Sequence, residues 1–580
     1  MKLRGAFTRT AGAMRESAAP MRREVRRLLA QRTKLGESEV EMFGKRSVVV
    51  VGLAIVATLG GALACAGGGL ERGASSRQPE TASAPICANR GRALYVTYCA
   101  ACHGNTGRGD GASAYLLSPA PRDFGSAKFR LVSTLNGAPT DEDLLAVLKR
   151  GMPGSAMPPW EWMADSDLRG LVQYVRELAI AGRADDLQRR AAEDDEVLER
   201  SEAVEIAARA MTPGEPIPVP PDCGGDALDL QLGRRFFLAN CAQCHGADGT
   251  GKGGEPQINE DGTPAMPRDF TAGILKGGAS HEAIVRRMTA GLPGSPMPAT
   301  SFEDPAQAAQ VSAYVRSLIK PGVQERLSQE RRELVAKRIA TKAPTEPADP
   351  AWSQAEAEWL PAMPLWWRDS RLEGCIVRAV HDGETLSVKI SWEDAAKDDE
   401  LLGQNTFTDA VALQWFRGPQ PPLFTMGEPG KPVNIWQWRA GWELDLERVR
   451  ELAARYPNMP TDVYGHVDEP SAPLYMTARA AGNAMAAPTR ASAGEMLTAE
   501  GFGTLAPLAD ADWKLDARGS WASGFWDVVL ARPLVACCPG ELPLEPGASA
   551  FLAVALWDGA REDRNGQKSV TVWHVLHLEK

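Results

Sequence analysis

The spacing of hydrophobic and polar positions divides this chain into three parts. Residues 47–64 form a continuous apolar run without charges. From there to about residue 322 the pattern is helical, whereas beyond residue 350 apolar residues alternate with polar ones. The helical pattern predicts four principal helices, at 90–98, 141–150, 230–240 and 281–290.

The alternating part predicts a β domain. A two-residue period runs through Leu386, Val388, Ile390 and Trp392 and follows the turn signal Asp382-Gly383. Fourteen of the sixteen tryptophans lie beyond residue 350, so this domain can build an apolar pocket for a flat ligand. We expect an all-β sandwich over 345–580, with further strands at 410–416, 433–439, 525–530, 551–557 and 570–576.

One five-residue motif occurs twice in the helical part. Cys99-Ala100-Ala101-Cys102-His103 is repeated as Cys241-Ala242-Gln243-Cys244-His245. Cys-x-x-Cys-His is the attachment signature of c-type haem, in which both thiols bond the porphyrin and the histidine binds the iron. A Cys-x-x-Cys pair without the histidine would instead suit zinc or a redox dithiol. The sequence therefore predicts two covalent haems, with His103 and His245 as iron ligands.

A Pro- and Gly-rich loop after each motif offers a second iron ligand. The first loop contains Met152 and Met157, and the second contains Leu292 and Met297 at the corresponding positions. A ligand should be present in both copies, so we expect Met157 and Met297 to bind iron. A His/Met pair raises the reduction potential of haem.

The two copies share more than these motifs. Pro121-Arg122-Asp123-Phe124 is matched by Pro267-Arg268-Asp269-Phe270. The order of helix, haem motif, loop, helix, methionine loop and closing helix resembles the small mono-haem cytochrome c fold. The resemblance implies two all-α domains at 85–182 and 222–322. We expect three connecting segments, namely a small-residue linker at 66–84, a charged helix with a Pro-rich linker at 183–221 and a helical connector at 323–344.

The N-terminal segment predicts export from the cytoplasm. The apolar run ends in Ala62-Leu63-Ala64-Cys65, which resembles a lipoprotein cleavage site with Cys65 as the lipidated residue. The alternative is an uncleaved membrane helix with a basic cytoplasmic tail. Met42 would make a better start than Met1, because Lys45 and Arg46 then form a short basic leader. Either anchor places the protein on the periplasmic side of the membrane, where c-type haem is attached.

The composition limits the class of partner. A net charge of −10 argues against nucleic acid, and an acidic electron carrier commonly meets a basic patch on its redox partner. Cys87 and Cys223 each stand shortly before a haem motif and could pair in an oxidising compartment.

Several short motifs in the β part carry a resemblance to a known family. They are Asp349-Pro350-Ala351-Trp352, 407–414, Met426-Gly427, 432–438, Phe502-Gly503-Thr504, 526–529, 532–534, 557–559 and 566–569. Through these motifs the β part resembles the haem-binding γ subunit of ethylbenzene dehydrogenase and its relatives in the selenate, chlorate and dimethyl sulfide enzymes. The resemblance implies one non-covalent b-type haem held by Met and Lys, which exchanges electrons with the iron–sulfur subunit of a molybdenum enzyme. Met426 carries over as one ligand. Lys514 and Lys568 are both candidates for the other. The resemblance favours Lys568, because it lies in the matching C-terminal motif and its distance from Met426 fits the family once an insertion at about 455–498 is allowed for.

These features predict a multihaem electron-transfer protein that works between a respiratory pool and a partner oxidoreductase, with molybdopterin and iron–sulfur subunits as candidate partners. Two His/Met haems and one Met/Lys haem leave no open iron position for a substrate. Two alternatives remain from the sequence: a di-haem peroxidase or reductase in which one haem loses its methionine, and a haem- or ligand-binding sensor.

Overall fold

The computed structural model describes residues 88–580, except 256, 369, 402, 404, 423–425, 448–456, 459–489 and 509–513. Cys65, Cys87 and the apolar run at 47–64 therefore lie outside the described residues. Among the helices that are described, none combines the length and the apolar character needed to cross a membrane.

The first helical module carries the cysteine motif directly after its first helix. Helix α1 (Ala88–Tyr98) leads into the short helix α2 (Ala100–His103). Helix α3 (Asp141–Arg150) begins after Thr140, whose side chain accepts a hydrogen bond from the Asp143 amide, and the Asp143 carboxylate accepts one from the Thr140 amide. The closing helix α4 (Asp165–Glu193) packs across α1, where Gly91 lies against Gly170.

The second helical module repeats this arrangement. It consists of α6 (Ala227–Asn240), α7 (Ala242–His245), α8 (His281–Ala290) and α9 (Pro305–Leu318). The second crossing also uses glycine, because a Cβ on Gly233 would lie 2.1 Å from the carbonyl oxygen of Gln310. A two-stranded hairpin, β1 (Gln257–Ile258) with β2 (Pro264–Ala265), is inserted here, so the second module is not entirely helical as predicted.

The charged segment after the first module differs from the prediction of a solvated helix. Helix α4 continues through residue 183, and a separate helix α5 (Arg200–Ala210) folds back onto it. Three buried alanines, Ala184, Ala203 and Ala207, form the contact. The charged residues were correctly expected to be helical, but the small residues between them give the two helices a packed face.

The C-terminal part is a β domain in which hydrogen bonds connect the strands into one sheet. Its strands are β3 Glu333–Arg338, β4 Glu358–Pro361, β5 Met363–Pro364, β6 Gly374–His381, β7 Thr385–Glu393, β8 Ala410–Phe416, β9 Val433–Arg439, β10 Gly494–Ala499, β11 Ala506–Pro507, β12 Asp516–Ala522, β13 Phe525–Pro533, β14 Ser549–Trp557, β15 Ser569–Val570 and β16 His574–Leu578, with helix α11 at Ala440–Glu447. The hydrogen-bonded path runs β11-β10-β9-β8-β14-β16-β3-β6-β7-β13-β12, and β3 is parallel to both of its neighbours.

This sheet curls so that its two halves face each other across a tryptophan core. The ring of Trp438 in β9 lies 4.9 Å from that of Trp526 in β13 and 6.2 Å from that of Trp392 in β7, although these strands are far apart along the path. The predicted sandwich is thus one continuous curled sheet, because strand β3 pairs with β16 on one side and β6 on the other and joins the two halves.

Three sequence expectations about this region need correction. The connector at 323–344 is not helical beyond the four-residue helix α10 (Val323–Arg326), because Leu334 and Ala336 alternate with charged residues and enter the sheet as β3. The expected irregular insertion ends early, since its last residues form β10 against β9. The predicted strand at 570–576 is divided between β15 and β16.

Candidate haem-binding sites

Local backbone bonds place both cysteines and the histidine of the first motif on one side of a short turn. The amides of Cys102 and His103 both donate to the carbonyl oxygen of Cys99, at 3.1 and 2.8 Å. The second motif has the same bonds, at 3.2 and 3.0 Å, among Cys241, Cys244 and His245. The geometry of each motif is thus set by its own sequence.

The repeated Arg-Asp-Phe segment orients each histidine. The Nδ1 of His103 lies 3.1 Å from the carbonyl oxygen of Arg122, and the ring of Phe124 stacks on the imidazole at 4.6 Å. Because a carbonyl oxygen can only accept, Nδ1 carries the proton and Nε2 is left for a metal ion. Burial also lowers the pKa of His103, which favours the neutral, ligating form.

The second site uses the corresponding residues. The Nδ1 of His245 lies 3.3 Å from the carbonyl oxygen of Arg268, and Phe270 stacks on the ring at 4.5 Å. The sequence analysis found the Pro-Arg-Asp-Phe segment repeated but did not predict that it orients the histidine. The signal that could have indicated this role is its position about twenty residues after each histidine.

The two methionine loops have the same backbone bonds. The amide of Met152 donates to the carbonyl oxygen of Met157 at 3.0 Å, as that of Leu292 does to Met297 at 3.1 Å. Met152 is therefore the structural counterpart of Leu292, as the repeat predicted. Each loop begins at a glycine with positive φ, and a Cβ on Gly151 would lie 2.6 Å from the carbonyl oxygen of Met157.

A cavity of about 680 Å³ joins the first helical module to the β domain. Backbone bonds hold its two walls together, because Ser118 donates to Leu365 at 3.0 Å and Trp367 donates to Ser118 at 2.7 Å. The sequence placed its ligand candidates in separate domains and did not show that they share one space. Those that line the cavity are Cys99, Cys102, His103, Met152, Met157, Met426 and Lys568.

Met426 is held in an unusual backbone conformation at the edge of this cavity. Its φ is +61°, its amide donates to Oε1 of Gln414 at 3.0 Å, and its carbonyl oxygen accepts from Gly501 at 2.7 Å. A positive φ is uncommon for a residue with a side chain, so these two bonds fix a costly conformation at the candidate ligand.

The structure distinguishes the two candidate lysines. Lys568 lies on the cavity, with its Nζ 4.8 Å from the ring centre of Trp557. Burial lowers the pKa of Lys568 to about 8. A larger fraction of the side chain is then the neutral amine, which is the form that binds iron. Lys514 is exposed to solvent and does not line the cavity. The backbone oxygen of Lys568 accepts from Leu365 at 2.9 Å, which fixes the start of β15.

The donor sets fit haem. Imidazole, thioether and amine are iron ligands, and the thiols stand where a porphyrin edge would be attached. The haem, when bound, supplies one-electron cycling of its iron. The protein supplies the ligands, their orientation through Arg122 and Arg268, and an apolar wall that includes Phe129, Leu148 and Ile435.

Comparison with known proteins identifies the families that parts of this chain match. Models of three families match, namely ethylbenzene dehydrogenase at residues 349–569, cytochrome c at 230–318, and the cbb3-type cytochrome c oxidase subunit III at 88–175. The chain combines two cytochrome c domains with an ethylbenzene dehydrogenase-type domain. The cytochrome c domains imply covalent haem c.

Individual relatives match parts of this chain. A respiratory nitrate reductase haem subunit of Haloferax mediterranei is 24% identical over 41% of this chain and 69% of its own length. The chlorate reductase γ subunit of Ideonella dechloratans is 24% identical over 35% of this chain and 63% of its own length, so less than two thirds of that relative is spanned. A solved structure of a reducing HAO-like complex from Kuenenia stuttgartiensis has a TM-score of 0.33 and 28% identity, covering 40% of this chain and 96% of its own.

Proposed function

We propose that this protein is a multihaem electron-transfer protein that works outside the cytoplasm, between a respiratory pool and a partner oxidoreductase. The observation that carries the proposal is the shared cavity, which has the Cys99/Cys102/His103 motif on one side and Met426 with Lys568 on the other. Two redox groups bound there would be adjacent, which suits the passage of single electrons.

The proposed ligands are assigned site by site. Cys99 and Cys102 would attach the first haem, with His103 and Met157 on its iron. Cys241 and Cys244 would attach the second, with His245 and Met297. Met426 and Lys568 would hold a non-covalent haem b. Each iron then has two protein ligands, and none is left open to a substrate.

The partner follows from the relatives and stays part of the proposal. Haem subunits of nitrate and chlorate reductases match this chain, which supports a molybdenum oxidoreductase with an iron–sulfur subunit as the partner. Membrane attachment through a lipid on Cys65, or through the apolar run before it, is likewise proposed from the sequence.

The test is a haem inventory of the full-length protein expressed with a c-type haem maturation system. We expect two haems that stay with the denatured band and one that acid-acetone extracts. The reduced protein should bind no carbon monoxide as isolated. Rapid binding of carbon monoxide would favour a catalytic di-haem enzyme, and the absence of extractable haem would remove the third site.

A further inference from the structure

Four cationic side chains meet where the two cytochrome c domains contact each other. They are two pairs of equivalent residues: Arg122 and Arg268 stand two positions before the stacking phenylalanine, and Arg130 and Lys276 stand six positions after it. We call this set the cationic quartet. Because both copies of the repeat contribute the same two positions, the cluster is a property of the repeat.

Each domain extends its cations toward the other. The side chain of Arg268 donates to the carbonyl oxygen of Gly154, in the methionine loop of the first domain, at 3.2 Å. Gly294 is the counterpart of Gly154, and a Cβ placed there would lie 3.6 Å from Nη1 of Arg122. Arg130 donates to Oδ1 of Asn259 in the second domain at 3.3 Å. The two domains thus face each other in a roughly two-fold manner.

The quartet has too little negative charge around it. Among the described residues none of its four members forms an ion pair with a carboxylate. Asp261 is the acid whose charge reaches both Arg122 and Arg130. Lys276 is the most affected, because burial and the charges of the three arginines lower its pKa well below the ordinary value. Cations desolvated together are unfavourable unless an anion is bound among them.

The cavity shows where such an anion would lie. Arg122, Arg130 and Lys276 all line it, together with Cys99, Cys102 and His103 of the first haem motif. Lys276 belongs to the second domain yet reaches the site of the first. A haem attached at this motif would carry two propionate carboxylates, and these anions would lie beside the cations that line the cavity.

We propose that three members of the cationic quartet, Arg122, Arg130 and Lys276, neutralise the propionates of the haem attached at Cys99 and Cys102, with Lys276 acting from the neighbouring domain. This rests on the proposed function, since it needs haem at the first site. Propionate pairing would also explain why the domains are in contact through these residues, because an anion shared between Arg130 and Lys276 stabilises the interface as well as the haem.

The experiment compares single-charge variants of the full-length haem-loaded protein. Lys276→Gln removes the charge, Lys276→Arg keeps it, and Lys320→Gln removes an exposed charge from the same domain as a matched control. We expect Lys276→Gln to lower the potential of one c-type haem, because a nearby cation favours the reduced iron. The resonance-Raman bending mode of the propionates should shift in the same variant. Lys276→Arg should restore both, and Lys320→Gln should change neither.

Arg130→Gln provides a second variant in case Lys276→Gln folds poorly, and it should shift the same Raman mode. The proposal is overturned if neither variant shifts that mode while the c-type haem content stays at two. It is also overturned if added inorganic phosphate shifts the potential of the wild type but not of Lys276→Gln, since the quartet would then hold a free anion. Loss of covalent haem from the wild type would instead refute the proposed function.

Discussion

The guanidinium group of Arg268 lies over the indole ring of Trp367, 4.3 Å from its centre. Trp367 belongs to the β domain, and its amide donates to Ser118 in the first cytochrome c domain at 2.7 Å. The backbone oxygen of Arg268 meanwhile accepts from His245 in the second domain. The stacked pair therefore joins the second cytochrome c domain to the β domain, beside a backbone bond to the first domain and beside His245, a candidate haem ligand.

The two haem motifs should act independently. Replacing Cys99 and Cys102 by alanine should remove one covalent haem and leave the other, because each motif is shaped by its own backbone bonds. Haem-stained denaturing gels and pyridine haemochrome spectra measure this. The reciprocal change of Cys241 and Cys244 is the control, and loss of both haems in either variant would contradict independence.

The choice of methionine can be read from the sulfur–iron absorption band in the near infrared. Met157→Ala should abolish the band of the first haem and lower its potential, because a thioether ligand favours reduced iron. Met152→Ala should retain both, since Met152 matches Leu292 in the second loop. If Met152→Ala had the larger effect, the assignment of the ligand would be wrong.

The start of the first methionine loop should tolerate only glycine. Gly151 has a φ of +70°, and a Cβ there would lie 2.6 Å from the carbonyl oxygen of Met157. Gly151→Ala should therefore destabilise the domain by about 3 kcal/mol or more through strain and overpacking. Gly137 has a φ of +75° with open space around it, so Gly137→Ala should cost about 1 kcal/mol.

Thermal unfolding followed at the sulfur–iron band measures both glycine variants. Equal loss of stability in Gly151→Ala and Gly137→Ala would show that positive φ alone, and not the contact with Met157, determines the cost.

The haem b site should depend on Lys568. Lys568→Ala should turn the extractable haem high-spin or empty the site, whereas Lys514→Ala should leave the low-spin spectrum unchanged, because Lys514 is exposed and off the cavity. Electronic absorption and electron paramagnetic resonance spectra of the full-length variants measure this. The reverse result would move the ligand to Lys514.

A buried carboxylate cluster should make stability depend on pH. Asp394, Asp409 and Asp558 are buried with oxygens within 4.8 Å of one another, and Oδ2 of Asp394 has no hydrogen-bond partner. Burial, followed by repulsion from Asp409, raises the pKa of Asp394. With its pKa raised to about 8, Asp394 keeps its proton longer in the folded protein than in the unfolded one, so stability falls as pH rises from about 4 to about 8.

Asp394→Asn resembles the protonated acid and should raise the melting temperature at pH 7 by more than at pH 5. Glu562→Gln, which removes an exposed carboxylate from the same domain, should not show this dependence. A melting temperature that Asp394→Asn lowers at both pH values would mean that the charge is needed in the fold.

Local patterns anticipated much of the fold. Helices α3 and α8 and strands β8 and β9 lie at the residues that the periodicity predicted, because each carries a strong pattern of its own. The prediction of a helical connector at 323–344 was wrong, because the charged residues around Leu334 resemble those of a solvated helix. Only the strands on either side of β3, one of them more than 200 residues away along the chain, make it a strand.

What the sequence determined by itself is the chemistry that short motifs carry: two Cys-x-x-Cys-His turns, two matched methionine loops, and Met426 as a ligand candidate. A haem motif acts through five consecutive residues, so no long-range contact is needed to recognise it. The tertiary structure decided what depends on packing between distant segments, namely the position of Lys568 on the cavity and of Lys514 in solvent, the cavity shared by two domains, and the cationic quartet. Each of these brings together side chains from separate elements, and only the folded chain sets their distances and their burial.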